Sequence, residues 1–206
     1  MAKFEEELEL LLKCKTPIIE VVTYEWQRLQ STVNVISGSN LTKRKRWNRS
    51  VGIVDGDGNV EPILDPIQLL KKFKEDKESC YLILENFNFY LANTDVVNLL
   101  FEIAKMKRTS HKTLIIESSE NCLPNALSKE IPVLNMPLPN KTFIKKIAES
   151  VVINSNLKSN EYELTDELLN SVLGLTTTEI NLAFLKAVQK FGCLDDSVIP
   201  YLISEK

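Results

Sequence analysis

Residues 16–33 read TPIIEVVTYEWQRLQSTV. The run from Ile18 to Tyr24 is apolar and rich in β-branched residues, as a buried strand requires. From Glu25 to Ser37 the pattern is helical, and Gly38 is a natural residue to close the helix. A buried strand that runs into a helix is where many α/β proteins hold a phosphate, on the N–H groups and dipole of the helix N-terminus. Here the junction is Thr23-Tyr24-Glu25, with no glycine.

A phosphate loop needs glycines so that the backbone can approach the ligand, and a lysine to reach the terminal phosphates. No G-x-x-x-x-G-K-[ST] occurs in the 206 residues. Glu25 suits the helix dipole and would repel a triphosphate by the same logic.

Outward from this junction the pattern alternates. A helix is expected over Phe4–Lys13, with Phe4, Leu8, Leu11 and Leu12 on one stripe. Short strands are expected over Arg44–Asn48 and Ser50–Asp55, with turn chemistry at Asp55-Gly56-Asp57-Gly58. Asp65-Pro66 reads as a cap and first-turn proline before a helix over Ile67–Glu75. Tyr81–Leu84, Lys112–Glu117 and Val133–Met136 read as strands, and Asp95–Arg108 as an amphipathic helix with Val96, Leu99, Leu100, Ile103 and Met106 facing a core. Apolar strands alternating with helices imply a mostly parallel sheet covered on both faces.

After Pro139 only helices are expected, over Lys141–Asn154, Asp166–Leu173, Thr178–Phe191 and Asp195–Ser204, with a capping box at Thr176 and Glu179. The chain therefore divides into an α/β core over residues 1–138 and a small helical subdomain over residues 139–206.

Composition sets limits. Apolar residues make up 44% and charged residues 26% of the chain, and the net charge is −3, which gives no global case for nucleic acid or a membrane surface. The start, MAKFEEELELLLKCK, lacks the basic and continuously apolar regions of a signal peptide, so a cytoplasmic protein is expected. Cys14, Cys80, Cys122 and Cys193 are scattered and there is one His, so no metal site is expected, and the thiols read as reduced and mostly buried.

An α/β core followed by a helical lid resembles the AAA ATPases, a degenerate AAA/RecA-like core in this case. YLILENF (81–87) resembles the family's apolar run closed by two acids, KTLIIESSEN (112–121) its sensor strand, and LPNALSKEIPVLNMPLPNKTFIKKI (123–147) its passage into the lid. LGLTTTEINLAFLKAV (173–188) resembles a lid helix. The chain also resembles the N-terminal half of the FtsH-like AAA ATPases first named as a hypothetical chloroplast reading frame. Glu7–Leu12, Pro17–Glu25, Leu84–Phe87, His111–Ile116, the Pro137-Leu138-Pro139 run, Leu173–Glu179 and Ser204–Lys206 carry that likeness in order.

What the resemblance implies is a fold without its chemistry. The acid pair that holds magnesium and activates water is reduced to Glu85-Asn86. No Arg lies between Ala126-Leu127 and Pro139 or in Gly174–Gln189, and sensor-type polarity survives only as Ser118, Ser119 and Asn121. No catalytic residue and no cofactor are expected for this chain. ATP and magnesium belong on an AAA module that follows this half in the family.

The expected function is an interaction, oligomerisation or regulatory module. Its partners would be an active AAA ATPase module in cis or in trans, further copies of itself, and a client protein, with no membrane. The alternative is a nucleic-acid accessory protein that uses KRKRWNR (43–49), where Lys43, Arg44, Lys45, Arg46 and Arg49 surround Trp47. The plainer reading makes the same stretch a twisted edge strand with charged residues outside and Trp47 inside, and another makes it a binding surface for an acidic face of a neighbouring subunit or of the ATPase half. An enzyme of another α/β type, with Glu85 or Glu117 at strand ends, is a third reading that only a pocket with convergent polar groups would raise. DGDGNV (55–60) reads as a turn rather than a calcium loop, Phe87, Phe89 and Tyr90 as core and loop anchors, and His111 as a strand-entry residue.

Overall fold

A computed structural model describes residues 2–40, 42–106 and 111–206. The chain divides into two compact units, Met1–Met136 and Pro137–Lys206.

The first unit is built on a seven-stranded mixed sheet. Its strands are β1 (Ile18–Val22), β2 (Lys43–Asn48), β3 (Gly52–Asp55), β4 (Val60–Glu61), β5 (Cys80–Leu84), β6 (Lys112–Ser118) and β7 (Val133–Asn135), in the spatial order β4-β3-β2-β5-β6-β1-β7. From β2 through β5, β6 and β1 to β7 every pair is parallel, whereas β2–β3 and β3–β4 are antiparallel. The expected mostly parallel α/β architecture is therefore found.

Helices cover both faces, because the central strands are apolar on both sides. Leu8 and Leu12 of α1 (Ala2–Lys13) and Leu29 and Val33 of α2 (Trp26–Asn40) bury against Ile19, Val21, Ile83 and Ile115. On the other face, Leu69, Leu70 and Phe73 of α3 (Pro66–Glu75) and Val96, Leu100 and Ile103 of α4 (Thr94–Ala104) bury against Leu82, Leu84, Leu114 and Ile116. The alternation of odd and even strand residues between these two clusters is the period-two pleat itself. Asp65 caps α3 by accepting from the Gln68 N–H at 2.8 Å, with Pro66 at the first helical position as expected.

Several boundaries differ from expectation. Helix α2 runs through Gly38 to Asn40 and does not end there; the small helical penalty of one glycine is outweighed by burial of Leu29, Val33 and Ile36. β4 escaped detection because two residues carry no periodicity, and Phe87–Tyr90 forms a 3₁₀ turn. α4 stops at Ala104, and Lys107 and Arg108, at the end of the expected helix, lie outside the described residues. Of the four free thiols only that of Cys80 is buried, and Cys14 is exposed.

The second unit is helical: α5 (Lys141–Asn154), α6 (Asp166–Ser171), α7 (Thr177–Phe191) and α8 (Ile199–Ser204) surround Ile144, Leu168, Ile180, Phe184 and Leu202. The capping box at Thr176 and Glu179 is present, and Gly192, at φ 72°, closes α7. The stretch expected as one helix over Asp195–Ser204 is broken into a 3₁₀ turn, Asp196–Val198, and α8, because Pro200 cannot donate a helical hydrogen bond. No described helix is long and apolar enough to cross a membrane.

Candidate functional site

The C-terminal ends of β5 and β6 and the start of α2 enclose a cavity of about 260 Å³ lined by Trp26, Glu85, Asn86 and Glu117. Open parallel sheets bind ligands beyond the carboxyl ends of their strands, so position alone marks this place.

The turn from β1 into α2 is filled by its own side chains. Thr23 donates its N–H to Ser118 O at 2.7 Å, and its Oγ1 accepts the Glu25 N–H at 2.8 Å. The Glu25 carboxylate lies 3.5 Å from Arg28 Nη1, and both side chains are buried. Tyr24 points outward and is exposed. The turn carries no glycine and no lysine, and its Glu25 N–H is already spent on Thr23.

Glu85 is saturated. Its carboxylate accepts from Gln30 Nε2 at 2.9 Å, Asn48 Nδ2 at 2.9 Å and Arg46 Nη1 at 3.3 Å. Asn86, beside it, sits in the left-handed region at φ 53°, where asparagine is among the few tolerated residues. Glu117 is different. It is only 9% exposed, and among the described residues no hydrogen bond reaches its carboxyl. Loss of hydration, reinforced by the neighbouring Glu85 charge, pushes its pKa up to about 7.

Glu85 and Asn86, expected as remnants of an acid pair, thus meet in one cavity with Glu117. The sensor-like residues do not join them. The pleat turns Ser118 to the opposite face, where its Oγ donates to Glu20 Oε1 at 2.9 Å. Asn121 closes a local turn by accepting the Leu123 N–H at 3.2 Å. Trp26 and Glu20 were missed. Glu20 is wholly buried within β1, accepts from the Cys122 N–H at 3.3 Å, and burial raises its pKa. A lone acid inside IIEVV was a signal that could have identified it.

The basic stretch 43–49 needs correction on two points. β2 is not an edge strand; it lies between β3 and β5. Trp47 is fully buried, donates its indole N–H to Ile63 O at 2.6 Å, and packs edge-on against Phe87 and Tyr90 at 5.7 and 5.9 Å between ring centres. It has no free face for a base. Lys43 and Lys45 both pair with Glu78, at 2.5 and 2.7 Å, and hold its pKa down to about 2, while Arg46 belongs to Glu85 and Arg49 lies over the Tyr90 ring. Arg44, half-buried between the two lysines, completes the stretch. Phe87 is core, but Phe89 is exposed rather than packed.

Comparison with known proteins adds the lineage. The family profile described as the N-terminal domain of SpoVK-like AAA ATPases matches residues 4–136, and that of their second domain matches residues 141–206. A relative from Pyropia yezoensis, "Uncharacterized AAA domain-containing protein ycf46", is 29% identical over 98% of this chain and 42% of its own length. The chain thus spans about two fifths of the curated relatives it matches. Among solved structures, a RuvB variant of Thermotoga maritima superposes with a TM-score of 0.64 at 11% identity, over 99% of this chain and 68% of the other. Domain III of the replication initiation protein DnaA, from the same organism, gives 0.56 at 14% identity, over 98% and 91%. At such identities the likeness is one of fold.

Proposed function

Given that the chain belongs to the SpoVK-like AAA ATPase family, we propose that it is a non-catalytic AAA-like module that serves an active ATPase module as an interaction, oligomerisation or regulatory partner. The observation that carries this reading is the turn at Thr23–Trp26. Its hydroxyl and its carboxylate are spent on the protein's own groups, and the cavity beside it is acidic. A triphosphate brought there would meet Glu85 and Glu117 and no lysine. ATP and magnesium would then belong on a further AAA module, in cis or in trans, with a client protein engaged by the whole assembly.

Calorimetry with MgATP tests the proposal. No binding heat is expected up to millimolar nucleotide, and micromolar binding or any turnover by this chain would overturn it.

The nucleic-acid alternative rests on the stretch 43–49 alone, where Lys43 and Lys45 are held by Glu78 and Arg46 by Glu85. Salt-dependent binding of short DNA or RNA, lost when Lys43, Arg44, Lys45 and Arg46 are changed to Ala, would restore it. Acid–base chemistry by Glu85 and Glu117 gains the shared cavity as support, but among the described residues no Ser, Thr, Cys, Lys or His lines it.

A further inference from the structure

We infer that the cavity bounded by Trp26, Glu85, Asn86 and Glu117 receives a guanidinium or primary ammonium group carried on an aliphatic stem. This deepens the proposed function and rests on it, since a cavity closed to a triphosphate is here read as open to a cation.

Glu117 carries the argument. It is nine-tenths buried, lines the cavity, and no donor among the described residues reaches it. Its carboxyl faces the cavity without a protein donor, so a ligand that enters can supply one in place of water. Among the described residues, the cation paired with the lining residue Glu85 is Arg46. Asn86 adds an amide, and the Trp26 indole adds an aromatic surface of the kind that favours organic cations.

Size decides between cation classes. About 260 Å³ is several times the ~30 Å³ that one water occupies. Two carboxylates, one of them saturated, are a poor cage for a bare divalent ion, and an indole is no ligand for one. A planar, forked donor on a methylene stem fits the carboxyl of Glu117, the Asn86 amide and the face of Trp26. Its source is either a side chain of another polypeptide or a free small cation, and the chemistry of recognition is the same.

Binding should strengthen as Glu117 loses its proton. The charged groups that face it are Glu85, at the end of β5, and Arg46, on β2; Trp26 and Gln30 of α2 are neutral, and the β1 residue opposite is Val21.

The test uses agmatine, the peptide N-acetyl-Gly-Arg-Gly-amide, and the same peptide with citrulline for arginine, a neutral isostere. The readout is indole fluorescence of the whole chain, assigned with Trp26→Phe. A saturable change with a guanidinium probe at pH 8, absent with citrulline and about tenfold weaker at pH 6, supports the inference; a group of pKa near 7 is about a tenth ionised at pH 6 and nine-tenths at pH 8. Glu117→Gln should weaken binding about tenfold and remove the pH dependence, and the wild-type pH profile stands without the variant. Response to agmatine alone assigns the site to a free cation, and response to the peptide alone assigns it to a partner's side chain. Equal response to citrulline, or no saturable response at pH 8, overturns the inference. If agmatine, the arginine peptide and MgATP all fail, only this inference falls; if MgATP binds, the proposed function falls and this inference falls with it.

Discussion

Glu85 and Glu117 stand side by side at the carboxyl ends of two neighbouring parallel strands. Leu84 and Ile116 are paired in register, so the next residue on each strand brings one acid beside the other on the face that α2 covers. Among the described residues, one carboxyl is held by three donors and the other by none. Burial first, and the Glu85 charge second, raise the pKa of Glu117 to about 7.

Stability should therefore depend on pH through Glu117. Its pKa in the folded chain, about 7, lies above its ordinary value of 4.5, so the folded state binds its proton more tightly than the unfolded state does. That contribution is fully present below about pH 4.5 and is lost as pH rises through 7. The difference corresponds to at most about 3 kcal/mol. Glu117→Gln should flatten the change in urea midpoint between pH 5 and pH 8, leaving the variant more stable than wild type at pH 8. An unchanged slope would show that Glu117 is not buried as an acid.

Gly52 should not tolerate a side chain. It sits at φ 96°, and a Cβ there would lie 2.3 Å from the Glu61 carbonyl oxygen across the β3–β4 pair. Both the backbone and the space exclude alanine. Gly52→Ala should lower stability by more than about 2 kcal/mol in denaturant unfolding, and a loss under 0.5 kcal/mol would contradict the close approach.

Trp47→Phe separates ring packing from hydrogen bonding. Phenylalanine keeps an aromatic group against Phe87 and Tyr90 but leaves the Ile63 carbonyl without its donor and opens a small void. A loss of about 2–4 kcal/mol is expected in chemical unfolding. Near-neutral behaviour would mean that the indole N–H is not needed.

In the second unit, Thr176→Ala removes the side chain that accepts the Glu179 N–H at 3.3 Å. A loss of about 1 kcal/mol is expected. Thr176→Ser should retain most of the stability, and thermal unfolding of the three proteins compares them directly. Equal losses in both variants would point to the methyl group rather than the cap.

Much of the fold could be read from residue order. The runs at Ile18–Tyr24, Tyr81–Leu84 and Lys112–Glu117 read as strands from their apolar and β-branched residues, and the stripe Val96, Leu99, Leu100, Ile103 and Met106 as one side of a helix; all four elements formed. The caps at Asp65 and Thr176 are local chemistry, and both formed as read. The absence of a glycine-rich turn after β1 is likewise a property of the residues themselves. Tertiary structure alone decided the rest, because the deciding contacts join residues far apart in sequence. The place of β2 inside the sheet depends on β3 and β5. The burial of Trp47 depends on Ile63, Phe87 and Tyr90. The proton affinity of Glu117 depends on how much water α2 and Glu85 leave around it. Hydration and dielectric surroundings are set by packing in three dimensions, and no local pattern encodes them.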